Sequence, residues 1–294
     1  MAQTFHTTWT HVYRSVEMAV AWGRAHQNLT GITALGIDEI QWHRGQHYLT
    51  LVYQIDADGR RLLWIGPERT VKTLLRFFRW FGPQRTAALH FVCSDMWPPY
   101  LRVVAKKASR ARHVLDRFHI MAHLSKAIDD VRAHEARTLR APGRAPVLTH
   151  TRWLLLKRPA NLTDTQLPRL AELLAYNLRA VRAYLLKEEF QFFWTYLSPT
   201  WAGRFLDRWC TQTMRSRLPP MQKVARMLRR HRALLLNWFT AKGAISGGAV
   251  EGFNNKAKLT MRKAFGFRTF RAFELALYHT LGGLPEPEGT HRFN

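Results

Sequence analysis

The hydrophobic pattern between Leu35 and Leu115 changes period several times, and the order of those periods restricts the fold more tightly than any other feature of the chain. Three short β-rich runs come first, LGIDEI, HYLTLVYQID and RRLLWIG, with Asp58-Gly59 as a tight-turn signal between the last two. They predict three antiparallel strands in a meander. Residues 68–81 then take a helical spacing that stops at Gly82-Pro83, and TAALHFVCSD reads as a buried strand. Pro98-Pro99 opens a helix that reaches about Ser109, and ARHVLD is a fifth strand. Ahead of this block, Val12, Val16, Ala19 and Val20 give residues 9–30 a helical spacing that Gly31 ends. After Phe118 the pattern is helical throughout: about 119–140, a break at APGRAP, amphipathic helices from about 152 to 240, and a last helical segment beyond Gly247-Gly248.

Three strands, helix, strand, helix, strand and then helices is the order of an RNase H-like domain, the fold of the retroviral-integrase superfamily. It is α/β, with a mixed five-stranded sheet whose two parallel strands are reached by helical crossovers. Such crossovers are right-handed, which leaves few other topologies. The competing α/β reading is a dinucleotide-binding Rossmann domain, but no G-x-G-x-x-G follows any strand and no G-x-x-x-x-G-K is present. The expected division is a helical lead-in at 1–34, the first part of the core at 35–140, an all-α insertion at 141–245, and a return to the core at 246–294.

Charge narrows the partner. Lys and Arg number 45 against 20 Asp and Glu, a net charge of +25, and the cations run from Arg14 to Arg292 among Trp, Tyr and Phe. A membrane-surface protein gathers its cations on one helix or tail. A spread along the whole chain fits a polyanion tracked by several elements, and nucleic acid is the expected partner. A hydrophobic content of 47% with 11 Trp supplies a large core and excludes general disorder. No apolar run reaches 18 residues and MAQTFHTTWTHVYRS lacks the features of a signal peptide, so a soluble intracellular protein with no membrane partner is expected. Cys93 and Cys210 are too few for a zinc ribbon or disulfide framework and read as buried thiols.

With so few carboxylates, those set in apolar strands are informative. Asp38 lies inside the first strand and Asp95 ends the fourth, and in an RNase H-like sheet those strands are neighbours. Two carboxylates meeting there repel unless a cation sits between them, which suggests a site for Mg²⁺ or Mn²⁺. A third acid completes a pair of ions about 3.5–4 Å apart, the geometry that stabilises the attacking and leaving oxygens of phosphoryl transfer. Glu251 is the candidate. On a helix through 250–264, Glu251, Asn254, Asn255, Lys258 and Arg262 share one face, and Val250, Phe253, Ala257, Met261 and Ala264 form the core stripe. A lone acid followed by amides and cations is what a metal ligand followed by phosphate contacts requires. The competing readings are a solvent-facing strand residue for Asp38 and a helix cap for Asp95.

The segments GIDE, CSDMWPPY, LDRFHI and VEGFNNKAKLTMRKAFGFR resemble the signature blocks of the DDE transposases of the bacterial insertion-sequence family ISL-three. The resemblance runs from about Trp9 to Phe273 and includes TRWLLLKRPANLT. It implies that Asp38, Asp95 and Glu251 are the catalytic acids and hold two Mg²⁺ or Mn²⁺ ions. The long gap from Asp95 to Glu251 implies the insertion domain. It also implies cleavage of DNA and transfer of the freed 3′ end, by a homodimer on transposon ends and target DNA, in the bacterial cytoplasm at the nucleoid. Members of the family usually carry a zinc-ribbon and helix-turn-helix region ahead of this domain. Without one the chain reads as a truncated or minimal form, expected to bind terminal repeats hardly better than random duplex. Two alternatives stand beside this: a non-catalytic DNA-binding remnant or regulator, and an RNase H-like structure-specific nuclease.

Asp116 and His119, at the end of the fifth strand, are auxiliary residues near the expected site, and Asp116 is the substitute should Asp95 not bind metal. His119 reads equally as a proton shuttle or as a buried histidine bonded to Asp116. Expected phosphate contacts are Asn254, Asn255, Lys256, Lys258, Arg262 and Lys263 on the glutamate helix, and Arg229, Arg230 and Arg232 in a cationic turn further upstream. Most of the tryptophans at 153, 194, 201, 209 and 238 are expected in the core.

Overall fold

The strands form where the sequence places them, and the helices divide between two compact units, residues 1–116 with 241–294 and residues 117–240. The computed structural model describes residues 6–43, 45, 47–139, 147–241, 245 and 248–287. The APGRAP break and Gly247 lie outside the described residues. The first unit runs through α1 (Trp9–His26), β1 (Ala34–His43), β2 (His47–Ile55), β3 (Arg60–Pro67), α2 (Val71–Phe81), α3 (Pro83–Ala87), β4 (Phe91–Ser94), α4 (Pro98–Lys107) and β5 (Arg112–Leu115). The second holds α5 (Arg117–Leu139), α6 (Arg152–Leu156), α7 (Gln166–Leu174), α8 (Arg179–Gln191), α9 (Pro199–Arg215), α10 (Pro219–Arg230) and α11 (Arg232–Ala241). The chain then returns to the first unit with α12 (Ala249–Lys263) and α13 (Phe270–Leu281).

The sheet order is β3-β2-β1-β4-β5, with β1, β2 and β3 antiparallel and β4 and β5 running parallel to β1. This is the RNase H-like arrangement. β1 is central and buried on both faces, and alternation along it sends neighbouring side chains opposite ways. Leu35 and Ile37 join Val52, Leu63, Phe77, Phe81, Tyr100 and Val103 in a core under α2 and α4. Gly36 faces the other way, onto α12. A Cβ at Gly36 would stand 2.5 Å from Val250 Cγ2, so only glycine lets α12 lie this close to the strand. α13 packs on β3, and α1 packs on α13, tied by Arg24, whose guanidinium lies 4.2 Å from the Tyr278 ring centroid.

Several element ends differ from the sequence reading. α1 stops at His26, because Gln27 turns extended and the Asn28 carboxamide accepts the Thr30 N–H, so the helix never reaches Gly31. The expected strand TAALHFVCSD shortens to Phe91–Ser94: Gly82, at φ 87°, breaks α2 and Pro83 starts α3, which absorbs Thr86 and Ala87. α5, read as the end of the core, groups with the helical unit, where it packs against α8 and α10.

In that unit Phe190, Phe193, Leu206, Trp209 and Leu228 are buried, and Trp209 Nε1 donates to Leu186 O at 2.9 Å. Trp194 is buried as expected, whereas Trp153 and Trp201 are exposed, each beneath a neighbouring guanidinium from Arg152 or Arg204.

Candidate active site

Register brings three aspartates to one row. Ile37 pairs with Ser94 and Ser94 with Leu115, so Asp38, Asp95 and Asp116 are the next residues along β1, β4 and β5. They stand where the two parallel strands end, the carboxyl side of the sheet on which open α/β folds place their ligands. All three are buried.

The row then divides. Asp38 shares the α12 face with Gly36. Its Oδ1 accepts the Glu39 N–H at 2.8 Å, and its Oδ2 accepts from the side-chain amide of Asn254. The other end of that carboxamide accepts from the Tyr53 hydroxyl at 2.8 Å. Tyr53 pairs with Gly36 in the β1–β2 ladder, and its ring stacks on Phe253 at 4.8 Å between centroids. Burial first, and the Asp38 charge second, push the Tyr53 hydroxyl well above its ordinary pKa, so it remains a donor. Carboxylate oxygens of Asp38 and Asp116 lie within 4.8 Å of each other. Cys93, between them on β4, is a core thiol as expected, its pKa raised by burial and then by the charges of Asp116 and Asp38.

Asp95 leaves the pleat because β4 ends at Ser94. Its Oδ1 accepts the Trp97 N–H at 3.0 Å, and its Oδ2 pairs with Arg69 at 2.6 Å. The same guanidinium reaches Glu39 at 2.8 Å and lies 4.4 Å from the Trp97 ring centroid. Local structure aims it there: Glu68 at φ 66° kinks the chain after β3, and Thr70 caps α2 by accepting the Thr73 N–H. Asp95 was expected to meet Asp38 across adjacent strands, and those strands are neighbours. Asp95 is held on the Glu39 side of the sheet by a cation supplied by the chain, and it also bonds the backbone ahead of α4.

Glu251 lies half-buried in the first turn of α12, next to the Val250 that packs on Gly36. Asn254 differs from the expectation of a phosphate contact. At four residues from Val250 and three from Ala257 it falls on the buried stripe and turns inward to Asp38, while Ala264, expected in that stripe, is exposed. Asn255, Lys256, Lys258, Arg262 and Lys263 are exposed, and no carboxylate occurs from residue 252 to 273. His119 lies half-buried in the first turn of α5, one turn along the chain from Asp116. Arg229 donates to Thr211 at 3.0 Å and Arg230 is exposed. Arg232 binds Asp207 through two parallel bonds of 2.9 Å. Sequence reasoning missed Arg69 and Tyr53; their signals were a cation directly after β3 and a tyrosine on β2 opposite Gly36.

Two carboxylates within 4.8 Å repel by about 3 kcal/mol at an effective dielectric near 20. Buried carboxylate oxygens fit a hard divalent cation. Residues 35–277 match the family of DDE transposases of the ISL3 type, described as Transposase. The chain belongs to this transposase family. It is 32% identical over 249 residues to the transposase for insertion sequence element IS1001 of Bordetella parapertussis, across 84% of this chain and 60% of the relative. It is also 32% identical over 280 residues to the transposase for insertion sequence element IS1557 of Mycobacterium tuberculosis, across 87% of this chain and 62% of the relative. The chain thus spans about three-fifths of the length of the curated relatives it matches. No helix among the described residues is long and apolar enough to cross a membrane.

Proposed function

We propose that the chain is a transposase that cuts DNA and joins the freed 3′ end to a target strand, with divalent Mg²⁺ or Mn²⁺ as its cofactor. The observation that carries this reading is the pair of buried carboxylates, Asp38 and Asp116, facing each other at the ends of parallel strands in a chain of this family. Asp38 and Asp116 would hold the cation, with Glu251 of α12 as a further ligand and Asp95 joining when Arg69 releases it. His119, three residues along the chain from Asp116, is an auxiliary proton-accepting group. A divalent ion bound there supplies charge stabilisation for the attacking and leaving oxygens of the phosphodiester. The chain's own residues do the rest. Asn254 fixes the Asp38 carboxylate, Tyr53 fixes Asn254, and Gly36 lets the helix that carries both Asn254 and Glu251 lie against the strand. Asn255, Lys256, Lys258, Arg262 and Lys263 bind phosphates along the exposed face of α12, with Arg229 and Arg230 as further contacts, and the protein acts as a homodimer on its DNA.

The test is nicking of supercoiled plasmid and end joining of a labelled 3′-hydroxyl duplex, in Mg²⁺, in Mn²⁺ and in EDTA. Cleavage only with metal, lost in Asp38→Asn and in Asp116→Asn, is the expected result. DNA binding without cleavage by the unsubstituted chain in either metal would replace this reading with that of a non-catalytic DNA-binding regulator. Binding should also weaken steeply with salt, about −0.9 in log K per log salt for each phosphate contacted.

A further inference from the structure

Four phenylalanines follow the last lysine of α12, at 265, 267, 270 and 273, and one of them faces fully outward. Phe267 stacks on buried Phe273 at 5.0 Å, and Trp42 of β1 lies against Phe270 and Phe273 at 6.4 and 6.3 Å, so the turn after α12 is pinned to the sheet by aromatic packing. Phe265 alone points away, fully exposed. Its backbone sits at φ 52°, with its N–H bonded to Arg262 O at 3.0 Å and the Gly266 N–H bonded to Met261 O at 2.9 Å. This is the paired-bond close of a helix, whose left-handed position is usually glycine. Here glycine stands one residue late and a bulky aromatic takes the strained position, a combination that clusters at functional sites.

What surrounds the ring identifies its ligand. Arg262, Lys263 and Arg268 are exposed on either side. A groove of about 790 Å³ opens beside the ring, lined also by Trp42, His43 and Phe267. An exposed aromatic between cations, beside a groove with further aromatic walls, presents a stacking face for a planar group between phosphates. We propose that Phe265 stacks on an unpaired base of the DNA substrate while Arg262, Lys263 and Arg268 hold the flanking phosphates. This rests on the DNA reading above and extends it to the form of DNA that the chain prefers. Along α12 the ring is about 21 Å from Glu251, roughly six nucleotide steps.

The experiment measures binding of the full chain, at one fixed salt concentration without divalent metal, to two duplexes of the same sequence, one fully paired and one carrying a single extrahelical base. The unsubstituted chain is expected to prefer the second by roughly tenfold. Phe265→Ala should abolish that preference while leaving affinity for the paired duplex unchanged, and Phe265→Trp should retain it. Equal binding of both duplexes by the unsubstituted chain, or an unaltered preference in Phe265→Ala, overturns the stacking role and leaves the DNA reading standing. Absence of binding to either duplex overturns both. If Phe265→Ala instead changes only the mass of the protein in solution, the ring serves contact between copies of the chain and the proposal fails.

Discussion

Asn254 donates its side-chain amide to Asp38, so the helix that carries Glu251 is fastened to the central strand through the aspartate itself. The same carboxamide accepts from Tyr53, and a three-residue chain of hydrogen bonds crosses from β2 to β1 by way of α12. Asn254→Ala removes the middle member and leaves the buried Tyr53 hydroxyl without its acceptor. Stability should fall by about 1–3 kcal/mol, read from the urea midpoint. An unchanged midpoint would mean that the chain of bonds contributes nothing to docking of α12.

Gly36→Ala should destabilise the protein by about 1–3 kcal/mol, because the new methyl meets Val250 Cγ2 at 2.5 Å. Val250→Ala in the same chain should recover most of the loss. A double-mutant cycle of denaturant unfolding measures the coupling, and strictly additive effects would show that the two residues do not limit the approach of α12.

Asp116→Asn should leave the protein folded in EDTA, since the amide keeps the shape of the carboxyl group. It should also erase the rise in Tm that millimolar Mn²⁺ gives the unsubstituted chain. Thermal unfolding with and without metal reports both effects. A Mn²⁺-dependent rise that survives the substitution would exclude Asp116 as a ligand.

His113 is buried on β5 and bonded to Ser94 at 2.7 Å, and burial lowers its pKa from 6.5 to about 4. The unfolded chain therefore binds a proton that the folded chain refuses between those values. The stabilising difference is fully present above pH 6.5 and is lost as pH falls toward 4, by about 3 kcal/mol over the window. Urea unfolding from pH 4 to 7 should show this slope, and His113→Gln should flatten it.

Phe265→Gly should raise stability by about 1 kcal/mol, because glycine occupies the left-handed position without the clash of a Cβ. Phe265→Ala keeps the Cβ and should not. Equal Tm values for the two variants would show that the turn carries no backbone strain.

The β-rich runs LGIDEI, HYLTLVYQID and RRLLWIG and the turn at Asp58-Gly59 made the sheet legible, because β-propensity and a two-residue turn are local properties. The register that aligns Asp38, Asp95 and Asp116 was legible only as neighbouring strands, since it depends on where β4 and β5 stop. What Asp95 touches was not legible. Its partner Arg69 lies across the sheet, placed by a left-handed Glu68 that no local propensity announces. Asn254 was read as a phosphate contact for a related reason: its amide was grouped with Glu251, three residues before it, whereas its spacing from Val250 and Ala257 puts it on the buried stripe, where Asp38 supplies its partner.

The division of the first unit has a consequence for the order of synthesis. All five strands have been made once Asp116 leaves the ribosome, but the helices that cover Gly36 and Tyr53 come only after residues 117–240. At typical elongation rates the interval is on the order of 10 s. Throughout it a nascent chain carries Asp38 on an uncapped sheet face and lacks both Asn254 and Glu251. Polypeptides abandoned before residue 249 thus have the row of acids without the helix that fixes Asp38, and that row is completed last, when α12 closes on β1.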